Sequence, residues 1–380
     1  MAGDKQASGE RTADQFERIA IIGTGLVGGS LGLSIKAEFP DVRVVGVSRT
    51  KDNLDEAARI GAIDQGFFEA REAVAGADLV FVATPVGSIV DIIRDIHGEL
   101  PDGAIITDVG STKGRIVHRV ETFLPSALHF IGGHPMAGSE QRGVTAAWAD
   151  LFKGAFYFLT PTQRTDTEAF KRLHSLLARL GAQVIAIDPD KHDRLVGTIS
   201  HLPHIVSSAL MHSFGDSDMG VENPLFMSGR SFREMTRVAA SSPEVWLDVC
   251  MENDQAILEA LDHFEHQVKS FARLIRKKMK DELAAKLEEA RTKRLTLAAA
   301  DEERSAEFWE ISVPVADKPG VVSEVTLTIG GLGANIEDLE IVPVTAKSGM
   351  LKLVVTEKKK AVQAVESLKQ KGYAARMRKV

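Results

Sequence analysis

The chain has 380 residues, 44% of them hydrophobic and 26% charged, with one cysteine and a formal net charge of −7. This is the composition of a globular protein of two or three domains. The acidic balance argues against nucleic acid or an anionic membrane as main partner, and the lone Cys250 excludes a disulfide framework and a thiolate zinc site. No apolar run approaches the ~20 residues that span a bilayer. The small polar residues at the N-terminus lack the apolar centre of a secretion signal, so a cytoplasmic location is expected.

Residues 1–17 read as a disordered tail. From Arg18 to Asp188, short apolar runs alternate with helical stretches: Ile19–Ile22, Val42–Val47, Leu79–Ala83, Ala104–Thr107, Phe130–Ile131, Phe156–Leu159 and Val184–Ile187. Continuous apolar runs mark strands buried on both faces, and their alternation with helices predicts an α/β domain, a Rossmann-type doubly wound parallel sheet over residues 18–188. The first run leads straight into Gly23-Thr24-Gly25-Leu26-Val27-Gly28. In this spacing the first glycine permits a tight turn, the second lets backbone approach a pyrophosphate, and the third allows close helix–strand packing. The N–H groups that open the following helix, near Leu26 and Val27, then face the phosphates of a nicotinamide dinucleotide. The second strand ends in Ser48-Arg49, without the carboxylate that usually receives a ribose 2′-hydroxyl. Ser48 and Arg49 can instead meet a 2′-phosphate, so NADP is expected over NAD, with a solvent-facing loop arginine as the plainer alternative.

Three further clusters end strands, where a doubly wound sheet gathers its ligands. They are Thr84-Pro85, Asp108-Val109-Gly110-Ser111-Thr112-Lys113 and Gly132-Gly133-His134-Pro135-Met136-Ala137-Gly138. A histidine between glycines and a proline is expected on a rigid turn. As the side chain that titrates near neutral pH it is a candidate general base, the alternative being a structural turn histidine.

Residues 189–304 carry helical periodicity, with expected breaks at Pro203, around Gly215–Gly220 and at Pro243. The segment holds His192-Asp193, Ser200-His201-Leu202-Pro203-His204 and Phe232-Arg233-Glu234-Met235-Thr236-Arg237. Ser200 and His204 fall four apart, and His201 and His204 three apart, on one helix. No further ligand cluster has metal spacing, so no metal is expected, and histidines satisfied within a helix core remain an open reading. Trp246 and Cys250 read as a buried helix stripe without chemistry. Gln267–Arg304 reads as one long exposed helix, with Arg276–Lys280 as its solvated face and an anion-binding patch as the alternative. Over residues 305–380 a βαββα(β) order predicts a small ferredoxin-like α+β module.

The glycine turn from Gly23 to Ser30, Asp108–Lys113, His134–Gly138, Ser200–His204 and Phe232–Arg237 together resemble the prephenate/arogenate dehydrogenase family of tyrosine biosynthesis, over Arg18 to Arg276. One departure is Arg230-Ser231, where members often carry two glycines. The last module resembles an ACT domain through Asp317-Lys318-Pro319-Gly320 and Gly333-Ala334-Asn335-Ile336. The resemblance implies an oxidoreductase that decarboxylates prephenate to 4-hydroxyphenylpyruvate with hydride transfer to NAD(P)+. It implies His134 as acceptor of the hydroxyl proton, Ser111 as a hydrogen-bonding partner of that hydroxyl, and Arg237 as a clamp on a substrate carboxylate. Ser200, His201 and His204 would line the substrate pocket from a helical dimerisation domain, making the protein a homodimer. His204 suits the prephenate dianion better than zwitterionic arogenate. L-tyrosine is the expected feedback ligand, at Asp317, Pro319, Gly320 and Asn335. The alternatives are an arogenate or dual-specificity cyclohexadienyl dehydrogenase, a β-hydroxyacid or imine reductase, whose catalytic lysine motif is missing, and a non-catalytic amino-acid or nucleotide sensor, which needs neither a base nor a carboxylate clamp.

Overall fold

The computed structural model describes residues 16–138, 141–215, 227–302, 308–316, 318–345 and 348–380. The expected tail up to residue 15, the loop 216–220, the 304/305 boundary and Asp317 lie outside them.

The first sheet is built from β1 (Arg18–Ile22), β2 (Arg43–Val47), β3 (Gln65–Phe67), β4 (Leu79–Val82), β5 (Ile105–Asp108), β6 (His129–Pro135), β7 (Phe156–Thr160) and β8 (Gln183–Ala186). Its order is β3-β2-β1-β4-β5-β6-β7-β8. The first six strands run parallel in the doubly wound order, which opens a crevice at the switch between β1 and β4. β7 runs against β6, and β8 runs parallel to β7. The folded chain already includes Phe16 and Glu17, which the sequence assigns to the tail. Phe16 is buried under the Arg172 guanidinium at 4.4 Å, and the Glu17 amide donates to Asp78.

His134 sits in a strand, not on the expected turn. β6 pairs with β5 through its first half and with β7 through its second, where His134 faces Phe158 across the ladder. The Gly132-Gly133 pair belongs to that strand, and a side chain has no room at its second position: a Cβ at Gly133 would lie 2.5 Å from the Asp108 carbonyl oxygen.

The helical region starts at Pro189–Val196, where the Asp188 side chain accepts from the amides of Asp190 and Lys191. No break occurs at Pro203. A π turn over Gly197–His201 joins the helix Leu202–Gly215, and the Leu202 amide bonds back five residues to Gly197. Proline has no N–H and crowds the carbonyl four residues before it, and the wider turn absorbs that mismatch. Pro243 instead occupies the first position of the helix Pro243–Glu252, where a missing donor is harmless. The expected single helix is two, Asp254–Arg276 and Lys280–Glu302, divided at Lys278 with φ 55°. Arg276–Lys280 is therefore a corner: Arg276 and Lys277 close one helix, and Asp281 and Glu282 follow Lys280 in the first turn of the next, the two cations and the two acids each favourable to their helix dipole. Among the described residues no helix is long and apolar enough to cross a membrane.

The C-terminal module contains β9 (Phe308–Ala316), β10 (Ile336–Thr345), β11 (Ser348–Thr356) and β12 (Arg376–Lys379), with helices Val321–Gly330 and Lys358–Gln370. Its antiparallel order β10-β11-β9-β12 is the ferredoxin-like βαββαβ arrangement. The module packs on the edge of the first sheet so closely that a Cβ at Gly330 would meet the Ala186 carbonyl oxygen at 1.7 Å. One apolar cluster runs through both, from Phe170 and Ala186 to Val325 and Ile336.

Candidate active site

The turn after β1 is shaped for an anion. Gly23 has φ +100°, and a Cβ there would meet the Ala83 carbonyl oxygen at 2.4 Å; one at Gly28 would meet the Gly23 carbonyl oxygen at 1.9 Å. Gly25, between them, has nothing within 4 Å of its Cβ position. The helix Leu26–Glu38 begins there with no side-chain cap and no acidic residue in its first turn. The amides at Leu26 and Val27 thus open onto a cradle that side chains leave vacant, and the residues fit a pyrophosphate. Asn53 ties this turn to the end of β2, its amide donating to Thr24 Oγ1 at 2.8 Å and Ser48 Oγ at 2.9 Å. Arg49 is exposed beside them, and Thr84 borders Gly23 from the end of β4. Ser88 donates to the Thr84 hydroxyl at 3.0 Å.

The floor of the crevice lies between β5 and β6. Asp108 and Lys113 form an ion pair with both side chains wholly buried. The carboxylate also accepts from the amides of Gly110 at 2.9 Å and Gly133 at 3.1 Å, which fastens the loop after β5 to the residue preceding His134. Burial pushes the Lys113 ammonium down and the Asp108 carboxyl up from their ordinary values, and each partner's charge opposes the other's shift. Ser111, half-buried, sits on the same loop.

His134 is buried, and its Nδ1 lies 2.8 Å from His192 Nε2. His192 Nδ1 in turn lies 2.8 Å from Asp193 Oδ1. Asp193 accepts the Lys113 amide at 2.7 Å and the Gly114 amide at 2.8 Å. Burial first, then His192 and Lys113, holds His134 well below its ordinary pKa. Sequence reasoning noted His192-Asp193 but gave the pair no role. Neighbours in sequence, they acquire one only because the helix Pro189–Val196 lies across the end of β6.

The opposite wall comes from the helical region. Asn253, which the sequence did not signal, donates to the Asp193 carbonyl at 2.8 Å and lies 3.1 Å from His201 Nδ1. Burial pushes His201 down to about 4, and its Nε2 has no partner among the described residues. His204 stacks on Trp246, with ring centroids 3.5 Å apart and planes 6° apart, and its Nδ1 is likewise buried without a partner. Trp246 is therefore a half-buried wall residue, not part of a buried stripe. Asp248, on the same helix, accepts the Gly87 amide at 3.1 Å and latches the wall to the loop after β4. Ser200 lies on the π turn, half-buried. Arg237 is exposed, on a short turn packed against the helix that carries His204.

In the C-terminal module, Lys318 and Pro319 line a cavity of about 280 Å³ shared with Asp166–Glu168, at the start of the helix Thr167–Arg179. Gly320, at φ +84°, opens the helix beside it. Asn335 does not join this cavity within one chain; it is buried, and its amide donates to Glu337 at 2.6 Å.

The family model of the prephenate dehydrogenase nucleotide-binding domain matches residues 31–186, and that of the prephenate dehydrogenase dimerization domain matches residues 188–289. Both end before β9. The chain is 32% identical over 356 residues to prephenate dehydrogenase of Bacillus subtilis, covering 92% of this chain and 96% of that one. It is 32% identical over 283 residues to cyclohexadienyl dehydrogenase of Zymomonas mobilis, covering 74% and 96%. The crystal structure of A. aeolicus prephenate dehydrogenase in complex with hydroxyphenyl propionate and NAD+ matches with a TM-score of 0.70 at 30% identity, covering 74% of this chain and 99% of that chain. With such identity sustained over nearly the full length of a relative, this chain belongs to the prephenate dehydrogenase family.

Proposed function

We propose that the chain oxidises and decarboxylates prephenate to 4-hydroxyphenylpyruvate, with a nicotinamide dinucleotide as hydride acceptor. The observation that carries this reading is the buried His134–His192–Asp193 chain at the end of β6, on the same sheet edge as the glycine cradle. Gly23, Gly25, Leu26, Val27 and Gly28, with Thr84 and Pro85 alongside, would hold the cofactor, which would supply the hydride acceptor. His134 accepts the substrate's hydroxyl proton as the ring carbon gives up hydride. The bond to the ring carboxylate breaks, CO2 leaves, and its electron pair completes the aromatic ring. His134 then returns the proton to the phenolic oxygen, so the turnover releases no net proton. Ser111 hydrogen-bonds the hydroxyl, and Arg237 grips a substrate carboxylate, for which a planar guanidinium is suited. Ser200, His201 and His204 line the pocket, and the unpartnered ring nitrogens of the two histidines give carboxylate oxygens a donor to meet.

Ser48 and the exposed Arg49 favour NADP over NAD, and His204 favours prephenate over arogenate. We read the chain as a Rossmann domain over 18–188, a helical domain over 189–304 through which it forms a homodimer, and an ACT domain over 305–380. L-tyrosine would bind that last domain near Pro319 and Gly320, a reading supported by the cavity at Lys318 and Pro319. The test is absorbance at 340 nm with prephenate and arogenate, each offered with NAD+ and with NADP+. The expected order puts prephenate with NADP+ first; no reduction with either substrate would overturn the assignment.

A further inference from the structure

We infer that His192 and Asp193 are positioning residues that fix which nitrogen of His134 carries its proton, leaving Nε2 bare to act as the base. The inference rests on the proposed role of His134 but is argued from hydrogen-bond directions alone.

The directions follow from Asp193. Its oxygens receive the amides of Lys113 and Gly114 and the Nδ1 of His192. Both of its oxygens accept backbone N–H groups, which with the Lys113 charge favour the ionised form against the upward push of burial, so we take the group as a carboxylate. His192 Nδ1 must then be the donor, and its Nε2, in the neutral ring, holds a lone pair. That lone pair faces His134 Nδ1 at 2.8 Å, which requires Nδ1–H on His134 and leaves Nε2 unprotonated. The groups that bear on His192 are Asp193, His134, His201 and the Lys113–Asp108 pair. Burial and Lys113 both oppose a second proton on His192, which would reverse the whole chain. Phe158 packs edge-on against His192 with centroids 5.5 Å apart and holds its ring plane. Once His134 takes up the hydroxyl proton, its positive charge is bonded through His192 to a carboxylate anchored on two backbone amides. The logic is that of the orienting carboxylate in Ser-His-Asp enzymes, with one more ring interposed.

The discriminating variant is Asp193→Asn. With its oxygen turned to the Gly114 amide, its NH2 displaces the Lys113 amide and donates to His192 Nδ1, so His192 presents Nε2–H to His134 and the proton moves to His134 Nε2. We expect kcat to fall about 10³–10⁴-fold, as the matching change does in a Ser-His-Asp triad, with KM and cofactor Kd within a few-fold of wild type. The readout that a purely structural tie would not move is the tautomer itself. In protein 15N-labelled at histidine, His134 should carry its proton on Nδ1 in the wild type and on Nε2 in Asp193→Asn. If Asp193→Asn fails to fold, His192→Phe, which keeps a ring against Phe158, should leave the His134 tautomers mixed and lower kcat at least about 10²-fold, the lower range for general-base work. An unchanged His134 tautomer in the variants, or a kcat loss below tenfold, overturns the inference. The tautomer is measured without substrate, so its failure is separable from failure of the prephenate assignment.

Discussion

The two sides of the crevice hold their charged groups and histidines on opposite terms, although the floor hydroxyls of Thr107, Thr112 and Tyr157 are also buried without a partner among the described residues. On the floor, the buried charged and basic groups Asp108, Lys113, His192 and Asp193 all bond to one another, to His134 or to backbone amides. On the wall, His201 Nε2 and His204 Nδ1 are buried without a partner among the described residues. A floor organised before substrate arrives needs no rearrangement as charge moves during the reaction. A wall with unmet polar groups gains most when an anion fills it. Floor variants should therefore act on folding and kcat, and wall variants on KM.

The largest stability effect should come from Lys113→Met, which leaves Asp108 buried without its counter-charge; we expect a loss of about 3–5 kcal/mol in urea denaturation. A loss under 1 kcal/mol would mean that the floor does not depend on the pair.

A smaller effect, outside the crevice, offers a control. His174 is buried on the helix Thr167–Arg179, bonded to the Ile336 backbone of the C-terminal module, and burial pushes it from 6.5 down to about 4. The unfolded chain therefore binds a proton there that the folded chain refuses. Its contribution is intact above pH 6.5 and is lost as pH falls towards 4, by about 3 kcal/mol in all. His174→Gln should flatten the decline of Tm over that window relative to wild type, and equal slopes would contradict it.

On the wall, Arg237→Ala should raise KM for prephenate about 10- to 100-fold, the scale of a charge-assisted hydrogen bond, while kcat stays within a few-fold. An unchanged KM, or a loss confined to kcat, would move Arg237 from the wall to the floor.

The glycine cradle was legible because its meaning is local: three glycines, a strand before and a helix after. β3 was not, because Gln65-Gly66-Phe67 offers a single apolar residue and forms a strand only by pairing with β2. His134 was found as a residue but assigned to a turn, since nothing in its own neighbours reveals that β7 extends the ladder past the end of β5. His192-Asp193 stood in plain view, yet its role depends on a contact 58 residues away in sequence. Trp246 was misread for a similar reason: helical spacing shows that it shares a face with core residues, not that His204 stacks on it. At Pro203 the local rule was sound, and a single π turn satisfied it without ending the helix.

In the proposed reaction His134, preset by the floor, accepts the hydroxyl proton as hydride leaves. The most direct test is single-turnover reduction of the cofactor at 340 nm, with prephenate saturating, for wild type and His134→Asn. We expect the rate in the variant to fall on the order of 10²–10⁴-fold with cofactor affinity preserved. A His134→Asn protein that reduces cofactor at close to the wild-type rate at neutral pH would contradict the account.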